Sequence, residues 1–188
     1  MKTLKSKYWL GLLLAAGFSV VSVTANSQDR KLTRQEQKEA RNAQLLANYY
    51  TLDTLLNMRS FVLEADFLQD RNGIRIPVPS NINFIRVDGT EGVLQTGNYT
   101  GMGYNGVGGA TAEGSIGTWE ITKNQKKLYY TVHFSLNSNI GNYDVFLTVN
   151  SVNHAEATIT GLGPGRLTWE GHLEMSYNSR VFKGQRSL

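Results

Sequence analysis

Residues 128–136, Leu128-Tyr129-Tyr130-Thr131-Val132-His133-Phe134-Ser135-Leu136, decide the fold. Every second residue from Leu128 is large and apolar, while Thr131, His133 and Ser135 between them are polar. A period of two places alternate side chains on opposite faces of a strand, so this segment reads as a half-buried β-strand. The same alternation recurs in Tyr143, Val145, Leu147 and Val149, then in Ala155, Ala157 and Ile159, and again in Leu167, Trp169 and Leu173. These residues are the expected core. The interleaved Asp144, Thr148, Glu156, Thr158, Thr160, Glu170, His172 and Glu174 form a solvated outer face.

Strands are expected at 115–122, 127–136, 143–150, 154–160 and 167–175. Between them lie Asn124-Gln125-Lys126, residues 137–141, Ser151-Val152-Asn153 and Gly161-Leu162-Gly163-Pro164-Gly165. Linkers this short join antiparallel neighbours and cannot span a parallel crossover. Upstream, Phe61, Leu63, Ala65 and Phe67 alternate from Ser60 onward. Residues 82–87 and 93–96 then flank Asp88-Gly89-Thr90-Glu91-Gly92 as a hairpin. Residues 69–80 contain Asn72-Gly73 and prolines 77 and 79, and are expected to be a turn and an irregular connection. About eight strands with one apolar side must curl to bury it. The expected architecture is therefore mainly β, an antiparallel barrel or strongly coiled sheet, which also removes exposed strand edges.

One helix precedes the sheet. Thr33 and Glu36 have the spacing of a capping box, and a helix is expected over 34–58. Its first half is charged and polar, reading as a solvated extension. Leu45, Leu46, Tyr49, Leu52, Leu55 and Leu56 recur at helical spacing in the second half, the part that docks on the sheet.

The N-terminus carries an address. Lys2, Lys5 and Lys7 precede an apolar stretch from Leu10 to Val23, and Val23-Thr24-Ala25 supplies small residues for cleavage after Ala25. The apolar stretch is shorter than the roughly 20 residues of a spanning helix. The expected organisation is a signal peptide over 1–25, a polar N-terminus and amphipathic helix over 26–58, and an antiparallel β domain over 59–188. The chain has no cysteine, so it offers no thiol for acylation, disulfide formation or nucleophilic catalysis. A periplasmic or secreted location without a stable membrane anchor follows as the expectation. Removing residues 1–25 lowers the formal net charge from +4 to +1. The basic character belongs largely to the signal, and the main compositional argument for nucleic-acid binding disappears with it.

With these elements in place, the chain resembles the secreted Bacteroidetes-type family known as domain-of-unknown-function family 4251. The resemblance is carried by the signal and charged helix, Phe61-Val62-Leu63-Glu64-Ala65-Asp66, Tyr104-Asn105-Gly106-Val107-Gly108-Gly109, and the closing antiparallel run through Trp169-Glu170-Gly171. It implies an envelope location and a lipocalin-like barrel, and brings no activity or functional residues. Many members carry a lipid anchor, and the missing cysteine departs from that pattern.

No catalytic constellation emerges. Gly101-Met102-Gly103-Tyr104-Asn105-Gly106 matches the dinucleotide fingerprint in letters but lacks the following helix that its chemistry needs. Gly114-Ser115-Ile116-Gly117 falls short of a nucleophile elbow, and Ser115 reads as a strand residue. His133, His154 and His172 lack metal-ligand spacing. The pairs Glu64/Asp66 and Glu170/Glu174 share faces, as solvated strands produce in any case. Aromatic side chains give the one pattern to test: Tyr129 and Phe146 lie on the polar face, Tyr99 and Tyr104 in the glycine-rich loop. Trp119, Tyr130 and Trp169 either line an opening or pack the core. Tyr99, Tyr104, Trp119, Tyr129 and Phe146 are therefore the candidate ligand-binding residues, with no cofactor and no metal. The leading expectation is a non-enzymatic module binding a small apolar ligand or an envelope protein. The alternatives are a scaffolding protein using its helix or sheet face, and a glycan or peptide hydrolase.

Overall fold

The structure is a computed structural model that describes residues 33–98, 103–161 and 165–187. The signal segment, the polar stretch 26–32 and Tyr99 lie outside the described residues. From Arg34 on, the chain forms one unit. Helix α1 spans Arg34–Met58 and is followed by nine strands: β1 Ser60–Gln69, β2 Arg75–Pro77, β3 Phe84–Asp88, β4 Glu91–Gln95, β5 Thr111–Asn124, β6 Tyr129–Ser138, β7 Gly141–Asn150, β8 Ala155–Thr160 and β9 Arg166–Met175. All pairings are antiparallel, and β3 through β9 pair in sequence order.

The ring closes on β1. One edge of β1 pairs with β9 along nearly its whole length, and the other pairs with β3 over Ser60–Glu64. The result is a closed eight-stranded barrel. Beyond β3, the same edge of β1 takes β2 as a ninth strand over Phe67–Gln69. The structure thus finds a short strand within the connection expected to be irregular, and Pro77 ends it at the sheet edge, where a missing N–H is tolerated.

Two bulges set the parity of the wall. Asp66 is the extra residue between the pairs Ala65–Gly171 and Phe67–Glu170. One inserted residue reverses the facing of everything after it. Leu68, rather than the expected Phe67, therefore packs on the core, and Phe67 lies under the Arg75 guanidinium, 3.5 Å from the ring centroid. A second bulge lies between Ile116 and Trp119 in β5, a strand of 14 residues, longer than its alternation predicts. The β3–β4 hairpin is also tighter than expected, since Asp88 already pairs with Glu91. Gly171 permits close approach at the closing seam: a Cβ there would lie 1.8 Å from the Glu64 carbonyl oxygen.

Side chains fill the barrel. Phe61, Leu63, Tyr130, Phe134, Leu147, Ile159 and Trp169 are all nearly inaccessible, as the narrow lumen of eight strands dictates. Leu128 sits in the left-handed region (φ 53) before β6 begins, yet still packs against this core. At the end opposite α1 a recess of about 30 Å³ remains beside Leu94, Ala112, Tyr143 and Trp169, roughly the room of one water.

Helix α1 covers the other end. Its second half buries Tyr49, Leu52, Leu55 and Leu56, each contributing about 1.5–3 kcal/mol through removal from water. Arg34 to Gln44 is almost entirely exposed, in accord with its polar sequence. Helix and strand join through Arg59 alone. It adopts φ 50, accepts the Gly89 N–H at 2.8 Å and lays its guanidinium 4.9 Å from the Trp119 ring centroid. Among the described residues no helix is long and apolar enough to cross a membrane.

The C-terminal tail is an element that the period-two pattern could not foretell. Residues 179–187 cross the outer wall of β3–β5, where Val181 covers Val62, Phe84 and Val93. Beneath the tail, buried polar groups satisfy one another. Gln95 donates to the carbonyls of Ile82 and Phe182 and accepts from Thr111 Oγ1 and the Gly184 N–H. Asn105, from the glycine-rich loop, donates to Thr96 O and Thr111 Oγ1 and accepts from the N–H groups of Val107 and Gly109. Ser187 completes the strap by exchanging bonds with the Thr111 backbone.

Candidate functional site

Among the described residues, the aromatic candidates do not gather at one place. Tyr104 is 88% exposed in the loop. Trp119 points into the helix-covered end, with Phe134 at 5.3 Å and Phe61 at 6.3 Å between ring centroids. Tyr129 lies half-buried on the outer wall of β6. Phe146 stands on the outer wall of β7, four residues along β6 from Tyr129, where its ring stacks on His133 at 4.2 Å with planes 4° apart. Trp119 and Phe146 thus occupy opposite faces of the sheet, and no opening gathers them.

The histidines and acids sort into outer-wall pairs. His133 lies 3.9 Å from Glu120 and 3.7 Å from Asp144. His172 lies 3.5 Å from Asp66 and 4.0 Å from Glu64, which accepts a hydrogen bond from Ser179 at 2.7 Å. Glu170 pairs with Arg75 at 2.6 Å. Among the described residues, no group of three or more such side chains is placed to hold a metal ion. Gly103 to Gly109 forms turns without a following helix, and Ser115 sits within β5, paired with Glu91 and Asn137.

A cleft lies elsewhere. Where α1 crosses the barrel rim, Asn48, Thr51, Leu52 and Leu55 face the end of β9, the Asn153 turn and Asn178 across a cleft of about 210 Å³. The helical spacing of these four residues puts Asn48 and Thr51 beside the buried Leu52 and Leu55. Leu52, Leu55 and Leu173, all buried, form the floor. The walls are pinned. Asn153, in the left-handed region at φ 62, exchanges two hydrogen bonds with the Leu173 backbone, at 2.9 and 3.1 Å. Asn48 donates to the Ser151 carbonyl at 3.0 Å and accepts from Gln44 at 2.8 Å.

Two features of this cleft stand out chemically. Glu174, half-buried at the end of β9, has neither a side-chain hydrogen bond nor an ion pair among the described residues, unlike Glu170 four residues earlier. Large exposed side chains also adjoin cleft residues. Met58 (66% exposed) is one helical turn beyond Leu55, Val152 (59%) precedes Asn153, and Tyr177 (80%) precedes Asn178 and bonds the Met175 sulfur. A groove of about 250 Å³ lies on the outer wall of β3–β5, where Arg86 pairs with Asp88 at 3.4 Å and Lys183 with Glu113 at 2.8 Å.

Asp53 and the Tyr130 phenol belong to the helix seat, and Tyr143 to the other end of the barrel. Lys123, bonded to Asp53, holds that carboxyl below its ordinary value. Burial pushes the Tyr130 phenol far above its own, and raises that of Tyr143. These groups lock the structure and offer no acid or base near neutral pH.

Fold and site together describe a helix-capped, side-chain-filled β-barrel with a cleft at its rim. A family model described as "Domain of unknown function (DUF4251)" matches residues 43–173, and the chain belongs to that family. A solved structure of a DUF4251 family protein from Bacteroides eggerthii DSM 20697 is similar, with 30% sequence identity and a TM-score of 0.61, covering 72% of this chain and 93% of the other. No curated protein matches.

Proposed function

We propose that this chain is a non-enzymatic protein-binding module of the cell envelope, acting beyond the inner membrane after cleavage at Ala25, and that it receives its partner in the cleft between α1 and β9. The observation that carries this reading is the cleft itself: a buried leucine floor between α1 and β9, with exposed Met58, Val152 and Tyr177 adjoining its lining residues in sequence. Exposed tyrosine and methionine side chains are enriched at contact surfaces. The filled barrel directs recognition outward, since a recess of about 30 Å³ is far below the ~300 Å³ or more of ordinary ligand pockets. Of the two ligands expected from sequence, the protein partner is therefore the better supported. Among the described residues a single ionisable residue lines the cleft, which suits recognition better than acid–base chemistry, which needs a matched pair.

Site-specific photo-crosslinking in living cells tests this. A photoreactive side chain replacing Thr51 or Asn178 is expected to trap the same partner protein, and Leu55→Arg is expected to abolish the adduct. The same group at Thr148, on the outer wall of β7, gives none. Adducts formed from position 148 but not from 51 or 178 would overturn the proposal.

A further inference from the structure

We propose that the C-terminal tail, residues 179–187, is an exchangeable arm, and that its seat on the outer wall of β3–β5 also takes the tail of a second copy of this chain, reciprocally, in a closed dimer. The proposal is independent of the cleft. The seat holds an extended chain mostly by its backbone. Phe182 donates its N–H to the Asn81 carbonyl, and Gln185 and Ser187 donate theirs to the carbonyls of Asn105 and Thr111. Gln95 donates to the Phe182 carbonyl and accepts the Gly184 N–H, while Asn139 donates to the Ser187 carbonyl. Side chains add two anchors: Val181 packs on Val62, Phe84 and Val93, and Lys183 pairs with Glu113 at 2.8 Å.

Three observations make the arm exchangeable and name its partner. The tail's link to β9 is a single turn, in which Asn178 and Ser179 both donate to the Met175 carbonyl. The contacts from Val181 to Ser187 do not involve that turn, so a tail arriving from another barrel makes the same set, as domain swapping requires. An empty seat is also costly. Gln95 and Thr111, both inaccessible, would lose partners, and the departure of one tail is offset only by the arrival of an equivalent one. Charge then favours a second copy. Arg180, Lys183 and Arg186 make the tail basic, while the groove beside it is lined from the wall by Asp88, Glu91 and Glu113 against Arg86, and Glu64 accepts from Ser179. Opposite charges steer such a tail to the seat and disfavour an acidic segment of another protein. Open space of about 250 Å³ beside Val181 and about 340 Å³ beside Phe182 and Gln185 flanks the strap, leaving both of its sides approachable. The turn tethers each tail to its own barrel at an effective concentration of about a millimolar, so exchange grows with protein concentration.

The test mixes equal amounts of natural-abundance and uniformly nitrogen-15-labelled protein, as the cell processes it, and joins Lys183 to Glu113 with a zero-length carbodiimide. Mass spectrometry then shows whether each crosslinked peptide pair comes from one copy or from two. Pairs with one light and one heavy half are expected, in a fraction that rises between about 10 μM and about 1 mM protein. Lys123 and Asp53, which join β5 to α1, serve as the internal control and should crosslink only light with light and heavy with heavy. Asn178→Pro removes one of the turn's two hydrogen bonds and should raise the mixed fraction about fivefold at a concentration where little of the parent protein has exchanged. Glu113→Gln should abolish the crosslink. Lys183–Glu113 crosslinks that never mix at the highest concentration would overturn the proposal, and mixing at both pairs would overturn it too, because it would report aggregation. An unchanged mixed fraction in Asn178→Pro would overturn the turn as the hinge. Photo-crosslinks from positions 51 and 178 test the cleft separately, so either reading can fail while the other stands.

Discussion

The rings of Tyr49 and Tyr130 stack with centroids 4.5 Å apart, and the Tyr130 hydroxyl donates to the Tyr49 carbonyl at 3.2 Å. One residue comes from the helix and the other from the middle of the sheet, so this pair seats α1 on the barrel rim and thereby shapes the cleft. Removing the hydroxyl in Tyr130→Phe is expected to cost about 1 kcal/mol, and Tyr49→Ala about 3–5 kcal/mol through loss of a buried ring. Urea unfolding measures both. If Tyr49→Ala leaves stability unchanged, the helix is not seated as described.

Asp53 gives the seat a pH dependence. Its carboxyl is held below the ordinary value of 3.8, first by the Lys123 hydrogen bond. A folded-state pKa lower than the unfolded one stabilises the fold above the unfolded value, and that stability disappears as pH falls through the folded one. Lys123→Met should therefore lower stability at neutral pH, and the gap from the parent protein should close as pH drops below about 4. The pair is about one-third exposed (40% and 34%), so the difference should stay below about 1 kcal/mol. Thermal melts from pH 7 to pH 2 check the convergence.

Barrel closure depends on Gly171. Because an added Cβ would collide with the Glu64 carbonyl oxygen at 1.8 Å, Gly171→Ala must part β1 from β9 and should cost about 3 kcal/mol. Gly165→Ala, whose Cβ would meet only Arg71 Cδ at 3.6 Å, should change stability by less than about 0.5 kcal/mol. Hydrogen exchange should show lost protection along Phe61–Gln69 in the first variant and none in the second.

The C-terminal strap hangs on Gln95. Gln95→Ala removes four hydrogen bonds and leaves buried partners unsatisfied, an expected loss of about 3 kcal/mol. The tail should detach in the same variant, so that trypsin cuts after Arg180 and Lys183 at concentrations that leave the parent protein intact. A tail equally protected in both proteins would contradict the assigned network.

The residues that announced themselves in sequence were those with a period. Val145, Leu147 and Val149, or Ala155, Ala157 and Ile159, alternate without interruption, and each lies in the core. Phe67 went astray because a bulge at Asp66 changes parity, and no local composition marks that extra residue. Alternation also gives the face of a side chain without its position around a barrel, which is why Trp119, Tyr129 and Phe146 share an aromatic character and no common site. The cleft was illegible for a related reason. Leu55 and Leu173 are more than a hundred residues apart, and nothing in either local pattern says that they line one cleft. The strap combines both difficulties, since its polar residues are buried only because Gln95, Asn105 and Thr111 wait beneath them.

Native mass spectrometry of the protein purified from its own cell envelope tests the central claim, that the barrel is filled and recognition happens at its rim. The expected spectrum shows the processed polypeptide at its own mass, alone or joined to a second protein, with Leu55→Arg abolishing the joined species. A bound small molecule of several hundred daltons that survives Leu55→Arg would contradict the account, because it would require an interior space that Tyr130, Phe134 and Trp169 occupy.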